Sequence, residues 1–366
     1  MIIYYMIILL FLFIFYVFKD ATLEKQQFLN YKISSNKNRD RGIFICAMLL
    51  FLTMALKPIT VGTDTIAYLE EYNKMMTLSI KSFKVSLSSE IGFKIIMFIL
   101  AKLGISFRIF LVIYSAFITI TLAKFIKQYC LNYFLGFYLY ITIGLFAMNM
   151  TGIRQSIAIC FVLFSFDYAR KKKIFLYILC FIIAVLIHYT ALICFVIGLI
   201  ATFKYKNKWQ LFLGLLAPVT IRVLTPIIYN FLLYISPKKY FYSGYFNMLE
   251  LKLNLLTELY FIGILLVCYI CLLQGAKKIH NRDYQFFILT SAYVCCYELS
   301  YTLYMLVRLS FYFNPFMIVL LVNVLYRLKK KRMRIMAQIF LILFSFLYFI
   351  ISIPGSSFGI DKYICF

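Results

Sequence analysis

Two side chains in this sequence stand where a bilayer tolerates them least. Arg154 lies near one end of the apolar run Gly152–Ala169, and His188 closes the run Ile174–His188. The two runs are joined by the basic turn Arg170-Lys171-Lys172-Lys173. At ~1.5 Å rise per residue, Arg154 stands ~24 Å from Arg170 and His188 ~22 Å from Lys173. With the turn at one face of a hydrocarbon core ~30 Å thick, both groups reach nearly one depth below the opposite face. A charge at the centre of a membrane helix costs roughly 2.5–3.5 kcal/mol on insertion scales, and less towards an end. Arg154 is therefore expected to face protein, water or an anion. Guanidinium stays charged and forks onto phosphate oxygens, whereas imidazole titrates near neutrality and can take a proton from an attacking hydroxyl. Side by side they suit the departure of a diphosphate, held by cations without a metal.

Other polar residues fall on the same face once the spans are counted. They are Lys57, the loop Val61-Gly62-Thr63-Asp64-Thr65 with Tyr68, Gln155 beside Arg154, Tyr189-Thr190, and Arg308. Asp64 is the competing base, or a plain Asx turn. Arg308 is a second phosphate ligand or an interfacial anchor that snorkels. Arg222 lies between Pro218 and Pro226, which are expected to split its span into half-helices around a polar cavity. It either touches substrate or pairs with an acid; Glu298 and Asp167 are the intramembrane acids. Gly152, Ser156 and Cys160 recur every four residues and permit close helix approach.

The elements that must position these groups follow from composition. Hydrophobic residues make up 64% of the chain and charged ones 14%, which excludes an ordinary soluble domain. Apolar runs separated by Lys/Arg clusters indicate an all-α polytopic integral membrane protein. The net charge of +25 sits in short loops, so the positive-inside rule accounts for it and no nucleic-acid partner is implied. Met1–Phe18 has neither a basic leader nor a cleavage site and reads as the first span. Cys268 and Cys271 have redox spacing but lie in an apolar run, where small-residue packing is the simpler reading. With two histidines and no His/Cys/carboxylate cluster, no metal site is expected.

The charge rule then orders the chain. Lys19–Arg41 is placed inside, Gly42–Leu56 is the second span, and Lys57–Glu90 is an external loop with balanced charge. Ile91–Ser106 is read as a re-entrant or interfacial helix on the outer face, because a full crossing would invert every later basic cluster. Further spans are expected at Phe107–Ile126, Leu131–Met150, Gly152–Ala169, Ile174–His188, Tyr189–Phe203, Trp209–Ile235, Thr257–Leu273, Tyr284–Tyr304, Leu309–Tyr326 and Ile335–Ile353. About twelve transmembrane helices result, in one domain over residues 1–366. Residues 57–106 and 236–256 form its external loops.

Three segments carry a resemblance: Val61-Gly62-Thr63-Asp64-Thr65 with Tyr68, then Gly152-Ile153-Arg154-Gln155-Ser156-Ile157-Ala158, then His188-Tyr189-Thr190-Ala191. In this order and spacing they resemble the EpsG family of Wzy-like bacterial membrane proteins, and Arg308 is similar to a late family arginine. The resemblance implies a GT-C-like architecture in the bacterial cytoplasmic membrane. It also implies a polymerase that joins oligosaccharide repeat units carried on undecaprenyl pyrophosphate, on the outer face, into exopolysaccharide, capsule or O-antigen. Arg154 and Arg308 would hold the pyrophosphate. His188 or Asp64 would act as base, with Lys57, Thr63, Tyr68, Gln155 and Arg222 as further substrate contacts. Lys57 stands where the family commonly has arginine, which keeps the charge and loses the fork. Membrane lipid and a chain-length regulator are the implied partners, and no cofactor is. A flippase of lipid-linked oligosaccharide could use the same cationic pocket without making a bond, and a membrane acyltransferase acting on surface sugars could use His188.

Overall fold

The computed structural model describes residues 2–17, 37–79, 82–83, 90–205, 207–235, 255–275, 279–300, 306–353 and 358–360. Among them every regular element is helical, as expected where the surrounding lipid offers backbone groups no hydrogen bonds. The chain forms two units, Met1–Leu192 with Ile335–Phe366, and Ile193–Arg334.

The first unit contains α1 (Ile2–Val17), α2 (Lys37–Ala55), α3 (Thr65–Thr77), α4 (Ile91–Lys102), α5 (Phe107–Tyr129), α6 (Tyr133–Thr142), α7 (Leu145–Thr151), α8 (Ile153–Arg170) and α9 (Ile174–Ile187). A 3-10 turn, Tyr189–Ile193, follows α9. The second unit contains α10 (Cys194–Thr202), α11 (Lys208–Ile235), α12 (Leu255–Gly275), α13 (Asn281–Leu299), α14 (Leu306–Ser310) and α15 (Asn314–Leu325). The last helix, α16 (Lys331–Ser352), begins in the second unit and continues in the first.

Three described helices are long and apolar enough to cross a bilayer: α5, the Lys208–Ile228 part of α11, and α16. A fourth crossing results if α6 and α7 count as one bent span, and several other helices are apolar but shorter. The membrane class stands, while the count of twelve does not follow from these lengths. The α4 helix has 12 residues, about 18 Å of rise, well short of a hydrocarbon core. Of the external cap expected at 236–256, residues 236–254 lie outside the described residues, as do Lys81, Lys84 and most of Lys19–Arg41.

Three local expectations are corrected. The Leu131–Met150 run is not one straight span: it bends by 59° between α6 and α7, at Gly144, whose φ of 90° suits glycine. Every residue of both helices is buried, and Asn149 holds the bend by donating to the Tyr140 hydroxyl at 2.7 Å and accepting from Tyr114. Pro218 and Pro226 do not split their span, because α11 continues through both. Pro218 leaves the Gly214 carbonyl without its helical donor, and the Ser291 hydroxyl of α13 donates to that carbonyl at 2.5 Å. At the basic end of the first unit, α2 starts at Lys37, several residues before the expected span. Arg39, 1% exposed, donates to the carbonyls of Cys130 at 2.8 Å, Leu131 at 3.1 Å and Lys127 at 3.3 Å. It thereby satisfies the end of α5, which its sequence neighbours cannot do.

Candidate active site

The hairpin of α8 and α9 is closed by a turn in which Lys172 takes a left-handed φ of 57°. Arg154 lies in the first turn of α8 and His188 caps α9, so antiparallel packing brings both to one end. There they share one carboxylate. Arg154 Nη1 donates to Glu90 Oε2, and His188 Nδ1 bonds Glu90 Oε1. The Glu90 and His188 side chains are 6% and 8% exposed, whereas Arg154 is 36% exposed. Arg154 therefore remains open to an incoming anion while its partners are enclosed.

Glu90 is placed by the backbone. It precedes α4 with φ 51° and ψ 50°, a left-handed conformation costing roughly 1–2 kcal/mol for an ordinary residue. Such strain persists where the surroundings hold it, and it concentrates at functional sites. Gly92 makes the approach possible. A Cβ there would lie 2.9 Å from the Leu186 carbonyl carbon, so α4 rests on the backbone of α9 just before His188. At Gly152 the surroundings are looser, the nearest atom to a Cβ there being 3.6 Å away.

Tyr68 of α3 supplies the other wall. Arg154 Nε donates to its hydroxyl at 3.1 Å, the guanidinium stands 5.4 Å from the ring centroid, and the ring meets Phe93 of α4 edge-on. Burial would raise the Glu90 carboxyl, but the bonds and charges of His188 and Arg154 outweigh it and hold the group below the usual carboxylate range. On the imidazole, Nδ1 is committed to Glu90. Nε2 is buried and has no hydrogen-bond partner among the described residues.

Lys57 is buried beneath the loop before α3. It is 1% exposed, and its ammonium donates to Thr65 Oγ1 at 3.0 Å and to the Met150 carbonyl. Burial first, and then the Arg108 charge, push it down to about 7 against the pull of Asp64. Its task here is to tie the loop before α3 to the end of α7. Gly62, at φ 89°, lies against the same Met150 carbonyl, which a Cβ would meet at 2.5 Å. The loop is also pinned from the C-terminal segment, where the Gly359 and Phe358 carbonyls accept from the Gly62 and Thr63 amides at 3.1 and 3.3 Å.

The remaining candidates divide between the units. Asp64 precedes α3 and is half-buried, with the exposed Thr63 hydroxyl 3.4 Å from its Oδ1. Gln155 is buried one residue from Arg154. In the second unit, Arg222 Nε lies 3.9 Å from Glu298, and Arg308 is exposed on α14. Asp167 is used near the basic turn, where Gln128 donates to it at 2.9 Å, Tyr129 also donates, and Lys171 lies 3.5 Å away. Glu90 is the residue that sequence reading missed. In the sequence it is the last residue of the charge-balanced loop Lys57–Glu90, and its place just before the Ile91 helix is its one local signal.

A family model for the EpsG family matches residues 42–365, a stretch that contains Asp64, Glu90, Arg154, His188 and Arg308. The chain belongs to the EpsG family. No curated protein and no solved structure matches it. As an EpsG-family protein it belongs with the membrane proteins of exopolysaccharide biosynthesis. In this EpsG chain the three resembling segments meet in one unit: the loop after Lys57 and Tyr68 with α3, the Gly152–Ala158 stretch at the head of α8, and His188 at the end of α9.

Proposed function

We propose that this chain polymerises oligosaccharide repeat units carried on undecaprenyl pyrophosphate, at the membrane face opposite its basic turns. The supporting observation is the Arg154–Glu90–His188 constellation, in which one carboxylate orients an imidazole and steadies a partly exposed guanidinium. A carboxylate on Nδ1 fixes the tautomer and leaves Nε2 as the proton acceptor. In the reaction, an acceptor sugar hydroxyl gives its proton to His188 Nε2. Its oxygen forms the new bond to the anomeric carbon of the growing chain. The bond from that carbon to the pyrophosphate oxygen breaks, the electron pair leaves with the lipid pyrophosphate, and Arg154 stabilises its charge. Glu90 touches neither reactant and is a positioning residue. Tyr68 holds the guanidinium from the other side, and Asp64 with Thr63 lines the loop where sugar hydroxyls are received.

The test uses the purified chain with lipid-linked repeat units, and product length is read on gels. His188→Ala and Arg154→Ala should each abolish chain extension, by 10²-fold or more for loss of the base. Glu90→Gln should lower turnover and alter its pH profile while leaving substrate retention near wild type. Unimpaired extension by both His188→Ala and Arg154→Ala removes the mechanism.

A further inference from the structure

On the basic side of the first unit, α2 and α5 run antiparallel, with Asp40 paired to Lys127 at 2.8 Å at the charged end. From that end an open apolar trough of about 400 Å³ extends along both helices as far as Phe51 and Ala116. Small residues, Ala47, Ala116 and Ala123, leave the trough, and Phe44, Phe51 and Ile120 are among the larger residues beside it. Its length is informative. From Asp40 to Phe51 the helix rises ~16 Å, about half of a ~30 Å hydrocarbon core. The trough is thus one leaflet deep.

Beside the charged end lies a second hollow of about 490 Å³, which shares Lys124 and Lys127 with the trough and adds Gln128 and Asp167 together with the apolar Phe125, Leu163 and Phe164. Its polar groups are gathered at Lys124, Lys127, Gln128 and Asp167, while apolar surface makes up the larger part of its lining. Asp167 is taken up by Gln128, Tyr129 and Lys171, and Asp40 by Lys127. Lys124 is exposed and forms no ion pair among the described residues. Arg170 lies 5.3 Å from the Tyr129 ring and adds to the positive field. A leaflet-deep apolar channel with two lysines and an amide at its charged end has the layout of one phospholipid.

We propose that this site holds one anionic glycerophospholipid of the leaflet on the basic side, its phosphate on Lys124 and Lys127 and one acyl chain along α2 and α5. It lies at the far end of α8 from Arg154, so it is distinct from the site where lipid-linked sugar would react. Basic residues near an anionic membrane surface each add appreciably to lipid attraction, and the groove converts that general attraction into a stoichiometric site.

The experiment is native mass spectrometry of the delipidated full chain, titrated with phosphatidylglycerol or phosphatidylcholine of the same acyl chains. One phosphatidylglycerol should be retained with a preference on the order of tenfold over phosphatidylcholine. Lys124→Gln with Lys127→Gln should erase that preference. Ala116→Leu with Ala123→Leu, which fills the trough and leaves the charges, should weaken retention of both lipids. Equal retention of the two lipids by the wild type overturns the proposal. So does a preference that survives the lysine substitutions, or retention unchanged by filling the trough.

Discussion

Replacing Glu90 with glutamine removes one charge and keeps the shape, so its effect can be worked from the geometry. The carboxylate serves two arms. The His188 arm is enclosed, with side chains 8% and 6% exposed, and a charge-assisted bond there contributes about 1.5–3 kcal/mol. The Arg154 arm is 36% exposed on the guanidinium side. Solvent screening brings it towards the surface-pair range, about 1 kcal/mol or less. The backbone strain at residue 90 is unchanged by the substitution. A loss of about 3 kcal/mol follows, or roughly 6–12 °C in thermal midpoint for a unit of this size. A thiol-reactive dye can follow unfolding, because Cys46, Cys130, Cys160 and Cys180 of the same unit are buried.

Acid adds a second readout. The Glu90 carboxyl is held below its unfolded value of about 4.5. Its contribution is therefore fully present above that value and lost as pH falls through the lower folded one. Wild type should converge on Glu90→Gln at low pH and separate from it above pH about 4.5. Midpoints within 1 °C or so of each other across that range, against the ~6 °C minimum expected, would refute a shared carboxylate.

Other substitutions probe the supports. Gly92→Val should push α4 off the Leu186 backbone and cost about 1–3 kcal/mol through overpacking, with turnover falling more than the thermal midpoint implies. Lys57→Met should destabilise by about 1–3 kcal/mol, because it leaves the Met150 carbonyl without its lysine donor; unchanged retention of lipid-linked substrate would separate this tether from a phosphate ligand. Asp283→Ala should cost about 3–5 kcal/mol, since it leaves Arg327, 2% exposed, without its carboxylate, and the dye-detected midpoint of the second unit should drop accordingly.

The sequence by itself determined the helical membrane class and the hairpin from Gly152 to His188. It also set Arg154 and His188 at the same end of that hairpin. Apolar run length, positive-inside bias and helical rise are local quantities, readable along a single chain. A helix too short to span a bilayer was legible within Ile91–Ser106 for the same reason, since the run itself is short. Tertiary structure alone decided which groups meet. Glu90 joins Arg154 across 64 residues and His188 across 98, and no periodicity spans that distance. The charge of Lys57 was visible in the sequence, while its burial and its bonds to Thr65 and Met150 were not. The Gly214 carbonyl that Pro218 leaves open is met by a serine 77 residues along the chain from Gly214. Partners for buried polar groups are chosen by packing in three dimensions, so the sequence supplied the reactive groups and only the fold could pair them.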